Sequence, residues 1–597
     1  MLPFSTPFNC IALSLSGGGF RAASFSLGIM SYLDRLNLLK NVEFISSASG
    51  GSFAATLYGV YYSKGRPFNE CYTFLLDEMK EEGLLNNVLE KLNDDEQWDP
   101  PGIGKRRNLI NAFAKVYDER IFAGETFDIF WNQKQEKNIS VCFNTTDFFR
   151  GLSFRFQTDG DNRSFEYVGN RYIHFDKNNP VYKKIKLADI LAASSCFPAG
   201  FEPIVFPDDF IYRNLTARDL KDSMILEGYD GTQEVLRKQL GFMDGGITDN
   251  QGLYSAMTAD ERKRNHDEAF DLIIVGDVTS YFMDPYKPVE EKKAEGLRAQ
   301  TINGILNKIP AAFKKIKIGL IVSIVALLIS MLGLLINIQS GNSIVTATCL
   351  LLLGVSLTSL VFLGYINNLK NKQKFLNKIF KGDVTPEIRT ILEHLNIGNN
   401  FSDDIIDKLT KYLGNTKLNV LEQMVKARAA SVLTMTTDIN LKHTRRLIYQ
   451  LFFDNEKWND RRLYNVLFEL SSFNKKNRTY RVNNKLPWAR DEDKQLLADI
   501  TFGMEKIAEE ARTMGTTLWF AKEDVKHEKL KKVVTCGQFT TCMNLIEYVL
   551  SIERKVERKE LNLVQDELDK IKLIKEQLLT DWSQFKRDPY FLYNSLS

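Results

Sequence analysis

A serine lies among small residues at the junction between a predicted strand and a predicted helix. The run ISSASGG extends from Ile45 to Gly51, with Ser49 inside it. A G-x-S-x-G turn in this context forms a nucleophile elbow, where small neighbours are needed because the turn is strained. Ser47 stands where that pattern has its first glycine. Taken alone, the run fits a catalytic serine or a plain small-residue turn.

A glycine-rich loop precedes this serine. The run SLSGGGFRAA extends from Ser14 to Ala23 and holds three glycines, Gly17, Gly18 and Gly19, between a predicted strand and a predicted helix. Glycines let the backbone turn tightly, and N–H groups at a helix start can bind a phosphate or a reaction oxyanion. The spacing matches neither a P-loop nor a dinucleotide fingerprint. The loop is therefore an anion site or a simple tight turn.

A carboxylate followed by two glycines is the third candidate. The run FMDGGITDNQG contains Asp244 and Asp249. A serine nucleophile needs a base, and none of the five histidines has a recognisable catalytic spacing. Asp244 is the best candidate for that base, and Asp249 is the runner-up or a residue that orients the loop. The structural alternative for Asp244 is an ordinary β-turn aspartate.

The elements that would position these residues indicate an α/β fold. Residues 10–15 and 42–46 read as buried strands, and each is followed by a helical pattern. This order predicts a mainly parallel sheet with helices on both faces. The later part of the chain is predicted to be mostly helical. Its last segment, 551–597, reads as an amphipathic helix or a short coiled-coil seam, and these helices are candidates for homo-oligomer formation.

Composition excludes several classes of function. Lys and Arg number 78 and Asp and Glu 75, a net charge of +3, so no nucleic-acid partner is indicated. The seven cysteines contain no C-x-x-C pair, which favours a reducing compartment over a disulfide framework or a zinc site. We expect no cofactor and no metal.

Two uncharged apolar runs lie in the middle of the chain. They extend over about 318–338 and 344–366, each near the ~20 residues that span a bilayer, and a short polar turn joins them. Lysines flank the pair on both outer sides, so the positive-inside rule places both soluble parts in the cytoplasm. Residues 314–368 are therefore predicted to form a transmembrane hairpin. The alternative is a pair of buried core helices.

Taken together, the motifs resemble the patatin-like phospholipases of bacteria. The resemblance rests on SGGGFRAASFSLG, ISSASGGS and DGGITDNQGL, and also on NTTDFFRGLSFRF and ILAASSCFPAGFEPI. It covers about residues 8–280 and resumes weakly after the hairpin. It implies a patatin-like three-layer α/β/α domain over 1–300. Residues 369–550 would be a helical continuation of that domain.

The resemblance also implies a site and an activity. Ser49 would be the nucleophile and Asp244 its base, and Arg21 would order the loop or attract a lipid phosphate. The oxyanion hole would be formed by the N–H groups of Gly17, Gly18, Gly19 and Gly50. The expected protein is a membrane-anchored serine lipid acyl hydrolase of the phospholipase A or lysophospholipase type, with membrane phospholipid as its substrate.

Other interpretations stay open at this point. The expected location is the inner (cytoplasmic) membrane, as a multi-pass protein. Ser47 at the elbow favours a rival hypothesis, in which the chain is a catalytically weak or inactive lipid-binding scaffold. Membrane-directed enzymes that resemble this one include toxins and antiviral effectors that damage their host's membrane. The biological role is therefore expected to be either of this kind or lipid remodelling.

Overall fold

The computed structural model describes most of the chain. The described residues are 7–80, 83–98, 104–158, 168–198, 200–226, 240–265, 267–279, 295–340, 348–353, 355–359, 412, 415–516, 520 and 522–596. They form two compact units. The first comprises the described parts of Met1–Met283 and Thr434–Ser597, and the second comprises those of Asp284–Leu433.

A central mixed sheet organises the first unit. The strands are β1 Ile11–Leu15, β2 Val42–Ala48, β3 Ser140–Asp147, β4 Leu152–Gln157, β5 Ile173–Phe175, β6 Ile204–Phe206, β7 Met224–Leu226, β8 Leu240–Asp244, β9 Leu272–Asp277 and β10 Arg462–Val466. Strands β10, β9, β1, β2 and β3 follow one another in parallel, and β8, β6 and β4 add antiparallel neighbours. A separate pair is formed by β5 and β7.

Helices cover both faces of this sheet. Alternate strand residues point to opposite faces, so Leu13 joins the larger core while Ala12 joins the smaller one. The N-terminal helices are α1 Gly19–Arg35, α2 Ser49–Ser63, α3 Phe68–Lys80, α4 Gly83–Asn93, α5 Leu109–Val116, α6 Leu187–Ser194, α7 Ala217–Asp222, α8 Gly246–Asp249 and α9 Leu253–Arg264. The sequence prediction of an α/β domain with helices on both faces agrees with this mixed sheet.

The second unit contains two long helices, α10 Ile302–Ser340 and α11 Leu418–Thr434. Large apolar side chains of α10 are exposed, among them Ile321, Val325 and Leu328. Within the described residues, no helix is long and apolar enough to cross a membrane. The predicted transmembrane hairpin is therefore not supported by the structure. Much of the second predicted span, including 344–347 and 360–366, lies outside the described residues.

The C-terminal part completes the first unit. Its helices are α12 Asn440–Phe453, α13 Lys475–Asn484, α14 Asp491–Ala498, α15 Phe502–Arg512, α16 Lys522–Lys526, α17 Lys529–Glu557, α18 Gln565–Arg587 and α19 Phe591–Leu596. The sequence predicted helices here, but β10 also joins the sheet beside β9, where Leu463 pairs with Ile274. A strand of five residues has too short a pattern to stand out among helical neighbours.

The last predicted segment, 551–597, is not one helix. The end of α17, then α18 and α19 occupy it, and α18 packs on its own unit, where Ile571 and Leu578 are buried. Asp581 of α18 is fully buried and forms an ion pair at 2.7 Å with Arg35 of α1. This helix is an amphipathic element of the fold and not a separate coiled-coil seam.

Candidate active site

Ser49 occupies a strained turn between β2 and α2. Its φ is +49°, in the left-handed region that residues other than glycine rarely adopt. Strained backbone of this kind is concentrated at functional sites. The side chain is only 7% exposed, and the N–H group donates a hydrogen bond to the Ser194 hydroxyl at 3.1 Å. The geometry matches the elbow predicted from the sequence.

The elbow lies directly against the glycine loop. A Cβ atom placed on Gly50 would overlap the carbonyl oxygen of Gly19, so only glycine fits at this position without moving the backbone. On the other side, a Cβ atom placed on Gly17 would lie 3.1 Å from Cβ of Ser49. Because β1 and β2 are parallel neighbours, the loops that follow them meet at one edge of the sheet. The first two candidate motifs are thus brought together.

Asp244 reaches the same place from β8. Ala48 of β2 pairs with Asn144 of β3, and Asp244 of β8 pairs with the next residue, Thr145, on the same side of β3, because β4 occupies the other side. The carboxylate of Asp244 accepts a hydrogen bond from the N–H of Gly246 at 2.6 Å, and the Ser49 hydroxyl lies close enough to it to lower its pKa. The third candidate motif therefore joins the other two.

Burial changes the acidity of this carboxyl group. Asp244 is 5% exposed, and desolvation raises its pKa from the usual value of 3.8 to about 6. The hydrogen bond from Gly246 and the nearby Ser49 hydroxyl oppose this rise because they stabilise the ionised form. A carboxylate with this pKa is a stronger base than an exposed aspartate and is still largely ionised at neutral pH.

The glycine loop offers fewer oxyanion donors than the sequence predicted. The N–H of Gly17 donates to the carbonyl oxygen of Asn250 at 2.7 Å, so it is already engaged and the prediction for Gly17 is wrong. Gly18 has a φ of +136° and Gly19 a φ of +60°, which explains the glycines. Within the described residues, neither the N–H of Gly18 nor that of Gly19 donates a hydrogen bond to a backbone carbonyl outside the helix.

Gly50 remains a candidate donor on the elbow side. It is the second residue of α2, and the first N–H groups of a helix have no acceptor within the helix. Its backbone touches that of Gly19. Gly18, Gly19 and Gly50 are therefore the candidate oxyanion donors beside Ser49.

Arg21 orders the loop and does not offer a free cation. Its guanidinium group donates hydrogen bonds to the carbonyl oxygens of Met514 at 2.7 Å and Arg512 at 3.3 Å, at the end of α15. Burial lowers its pKa to about 10. Of the two roles predicted for this residue, the contacts match loop ordering and leave phosphate binding without support.

Asp249 is not placed to act as the base. Its carboxylate accepts hydrogen bonds from the N–H groups of Tyr254 at 3.2 Å and Ser255 at 3.0 Å, at the start of α9. Burial raises its pKa. It orders the turn between α8 and α9, which was the alternative role predicted for it.

Two residues beside the elbow were not predicted from the sequence. Ser194 ends α6 and contacts the backbone of Ser49. Asn144 ends the pairing of β2 with β3, and its side-chain amide donates to the Ser46 hydroxyl and the Ser47 carbonyl, each at 3.0 Å. Both depend on tertiary contacts that no local spacing reveals. The described residues contain no group of three or more His, Cys, Asp or Glu side chains suited to a metal ion.

The match to a known family coincides with these elements. Residues 13–257 match the family model of the patatin-like phospholipases. The matched region runs from β1 into α9 and includes the glycine loop, Ser49 and Asp244. This patatin-like domain supports a hydrolase that acts on lipid esters. No curated protein matches the chain.

Proposed function

We propose that the chain is a serine lipid acyl hydrolase that cleaves ester bonds of membrane phospholipids, with Ser49 as nucleophile and Asp244 as general base. The observation that carries this proposal is the position of Ser49, held at a φ of +49°, beside the buried carboxylate of Asp244, whose pKa its hydroxyl lowers. A nucleophile in contact with its base is the minimum requirement for acyl transfer.

The first step forms an acyl-enzyme. The Ser49 oxygen attacks the ester carbonyl carbon while Asp244 takes the hydroxyl proton. The tetrahedral intermediate collapses, the alcohol portion of the lipid leaves, and the proton held by Asp244 passes to that leaving oxygen. In the second step a water molecule attacks the acyl carbon and Asp244 takes its proton. The bond from the acyl carbon to Ser49 then breaks, the proton passes from Asp244 to the Ser49 oxygen, and a free fatty acid is released.

The intermediate carries a negative charge on the former carbonyl oxygen. The N–H groups of Gly18, Gly19 and Gly50 are the donors that we assign to it. Fixed backbone donors stabilise this charge without reorganising, and loss of one such donor typically costs ~3 kcal/mol in the transition state.

Activity measurements on the full chain test this proposal. Ser49→Ala and Asp244→Asn are each expected to lower fatty-acid release from phospholipid vesicles by about a thousandfold or more, since each removes one half of the dyad. Labelling by a fluorophosphonate serine probe should disappear in Ser49→Ala. Wild-type protein that neither labels nor releases fatty acid would favour the inactive lipid-binding scaffold.

The proposal extends to attachment of the protein at the inner (cytoplasmic) membrane. It rests on the uncharged runs at 318–338 and 344–366, on their flanking lysines, and on the exposed apolar side chains of α10. Attachment would raise the effective concentration of lipid substrate, as any tether does. Both soluble parts would then face the cytoplasm.

Vesicle flotation tests the attachment. The triple variant Ile321→Asp/Val325→Asp/Leu328→Asp should fail to float with phospholipid vesicles, because charged side chains are costly in the hydrocarbon core. The matched control is Leu297→Asp, an exposed apolar residue of the same unit outside the uncharged run. Equal flotation of the triple variant and the control would contradict attachment through this segment.

The biological role is part of the same proposal. Growth arrest on induction of the wild-type chain, absent with Ser49→Ala, is the result expected of a membrane-damaging toxin or antiviral effector. Unchanged growth with altered lipid composition is the result expected of lipid remodelling.

A further inference from the structure

A chain of buried hydroxyl groups connects Ser47 to the backbone of the elbow. Hydroxyl oxygens of Ser47 and Ser52 lie 3.0 Å apart, and those of Ser52 and Ser194 lie 2.9 Å apart. The Ser194 hydroxyl also lies 2.7 Å from the Asn144 carbonyl oxygen and accepts the N–H of Ser49. Ser47, Ser52 and Ser194 are fully buried.

The direction of each hydrogen bond among these hydroxyl groups follows from which atoms can only accept. A carbonyl oxygen cannot donate, so the single proton of Ser194 is directed to Asn144. The Ser194 oxygen must then accept both from the Ser49 N–H and from the Ser52 hydroxyl. Since Ser52 donates to Ser194, it accepts from Ser47. All the hydroxyl protons therefore point the same way, from Ser47 through Ser52 to Ser194.

The same end of α6 also holds the backbone of Asp244. The N–H of Asp244 donates to the Cys196 carbonyl at 2.8 Å, and the N–H of Gly245 donates to the Ser194 carbonyl at 3.2 Å. One short segment thus contacts the nucleophile through a side chain and the base through its backbone. These contacts set the position of Ser49 relative to Asp244.

We propose that Ser194 is a positioning residue for the dyad and that Ser52 and Ser47 support it, so that Ser47 is a functional replacement for the elbow glycine. The inference rests on the proposed function of Ser49 and Asp244. Without the Ser194 hydroxyl, the N–H of Ser49 has no acceptor and the peptide before Ser49 is free to rotate. Misplacement of a reacting group by about 1 Å can cost on the order of a hundredfold in rate.

Kinetics of the full chain on phospholipid vesicles test this role. Ser194→Ala should lower kcat by about tenfold to a hundredfold with little change in KM, and Ser52→Ala and Ser47→Ala should have progressively smaller effects. Ser47→Gly restores the usual elbow pattern but should also lower kcat, because it removes the first donor of the chain. The control is Ser195→Ala, a buried neighbour whose hydroxyl donates to the Leu191 carbonyl at 2.7 Å.

A second readout separates positioning from loss of stability. The nearby Ser49 hydroxyl lowers the pKa of Asp244, so a displaced Ser49 should move the acidic limb of the kcat/KM profile to higher pH in Ser194→Ala. A general loss of stability would not move that limb. Ser194→Cys, which keeps a weak acceptor, should recover part of the rate.

The outcomes distinguish this inference from the proposed function. Wild-type kcat and an unmoved acidic limb in Ser194→Ala, with Ser49→Ala inactive, would overturn the positioning role alone. Activity in Ser49→Ala would overturn the dyad itself. If Ser194→Ala does not fold, Ser52→Ala decides, and unchanged kcat in that variant would overturn the hydroxyl chain.

Discussion

The Ser49 hydroxyl group lies beside the Asp244 carboxylate, where the ends of β2 and β8 meet along one side of strand β3. The contact depends on register, since Ala48 pairs with Asn144 and the next residue of β3, Thr145, pairs with Asp244. A shift of one residue in either pairing would turn side chains to the opposite face of the sheet. The sheet thus brings together two residues that are far apart in the sequence.

The pH dependence of activity should follow the ionisation of Asp244. Only the ionised carboxylate can take the serine proton, so kcat/KM should rise with pH and reach half of its plateau near the pKa of about 6. Initial rates of fatty-acid release at constant ionic strength between pH 4.5 and pH 8.5 measure this limb. A midpoint near 4, the ordinary value for aspartate, would contradict a buried base.

Ionisation of Asp244 should raise activity but lower the stability of the fold. The pKa of Asp244 is higher in the folded state than its usual value of 3.8, so the folded state binds more protons than the unfolded state between about pH 4 and pH 6. The contribution of Asp244 to the free energy of unfolding therefore falls as pH rises through that window, by up to about 3 kcal/mol.

Asp244→Asn removes this titration. The free energy of unfolding of the variant minus that of wild type should therefore be larger at pH 7.5 than at pH 4.5. Thermal unfolding of both proteins at the two pH values measures the difference. A stability difference that does not change with pH would show that Asp244 is not held in a desolvated site.

The parts of the site differ in how far the sequence could predict them. Ser49 and Asp244 lie in short runs whose small neighbours are required by local backbone geometry, so the pattern indicates them directly. The engagement of Gly17 with Asn250 and the contact of Ser194 with Ser49 join distant segments. A serine in a small-residue helix has no spacing that distinguishes it from a packing residue. Strand β10 could not be predicted either, because its place at the edge of the sheet depends on pairing with the distant strand β9.

Gly50→Ala should disrupt the contact between the elbow and the glycine loop. The added Cβ atom would overlap the Gly19 carbonyl oxygen, and neither backbone can yield without moving Ser49 or the candidate oxyanion donors. We expect a loss of at least about a hundredfold in kcat and a destabilisation of about 1–3 kcal/mol. Gly515→Ala is the control, because no atom of the described residues lies within 4 Å of the Cβ position there. Equal activity of the two variants would contradict the close packing of the two loops.

Gly537→Ala should push α17 away from α1 and lower the thermal stability of the protein. This result would show that packing of the C-terminal part stabilises the patatin-like domain. A Cβ atom on Gly537 would lie 2.6 Å from the Phe25 carbonyl oxygen, and Gly28 faces Gly537 from α1 with equally little space. The helices must move apart, at a cost of about 1–3 kcal/mol. The matched control is Gly503→Ala on α15, where the nearest atom of the described residues is at 3.8 Å and alanine favours the helix by about 0.5–1 kcal/mol. Thermal unfolding should therefore give a lower Tm for Gly537→Ala and an equal or higher Tm for Gly503→Ala, whereas equal shifts in both variants would contradict backbone contact between α1 and α17.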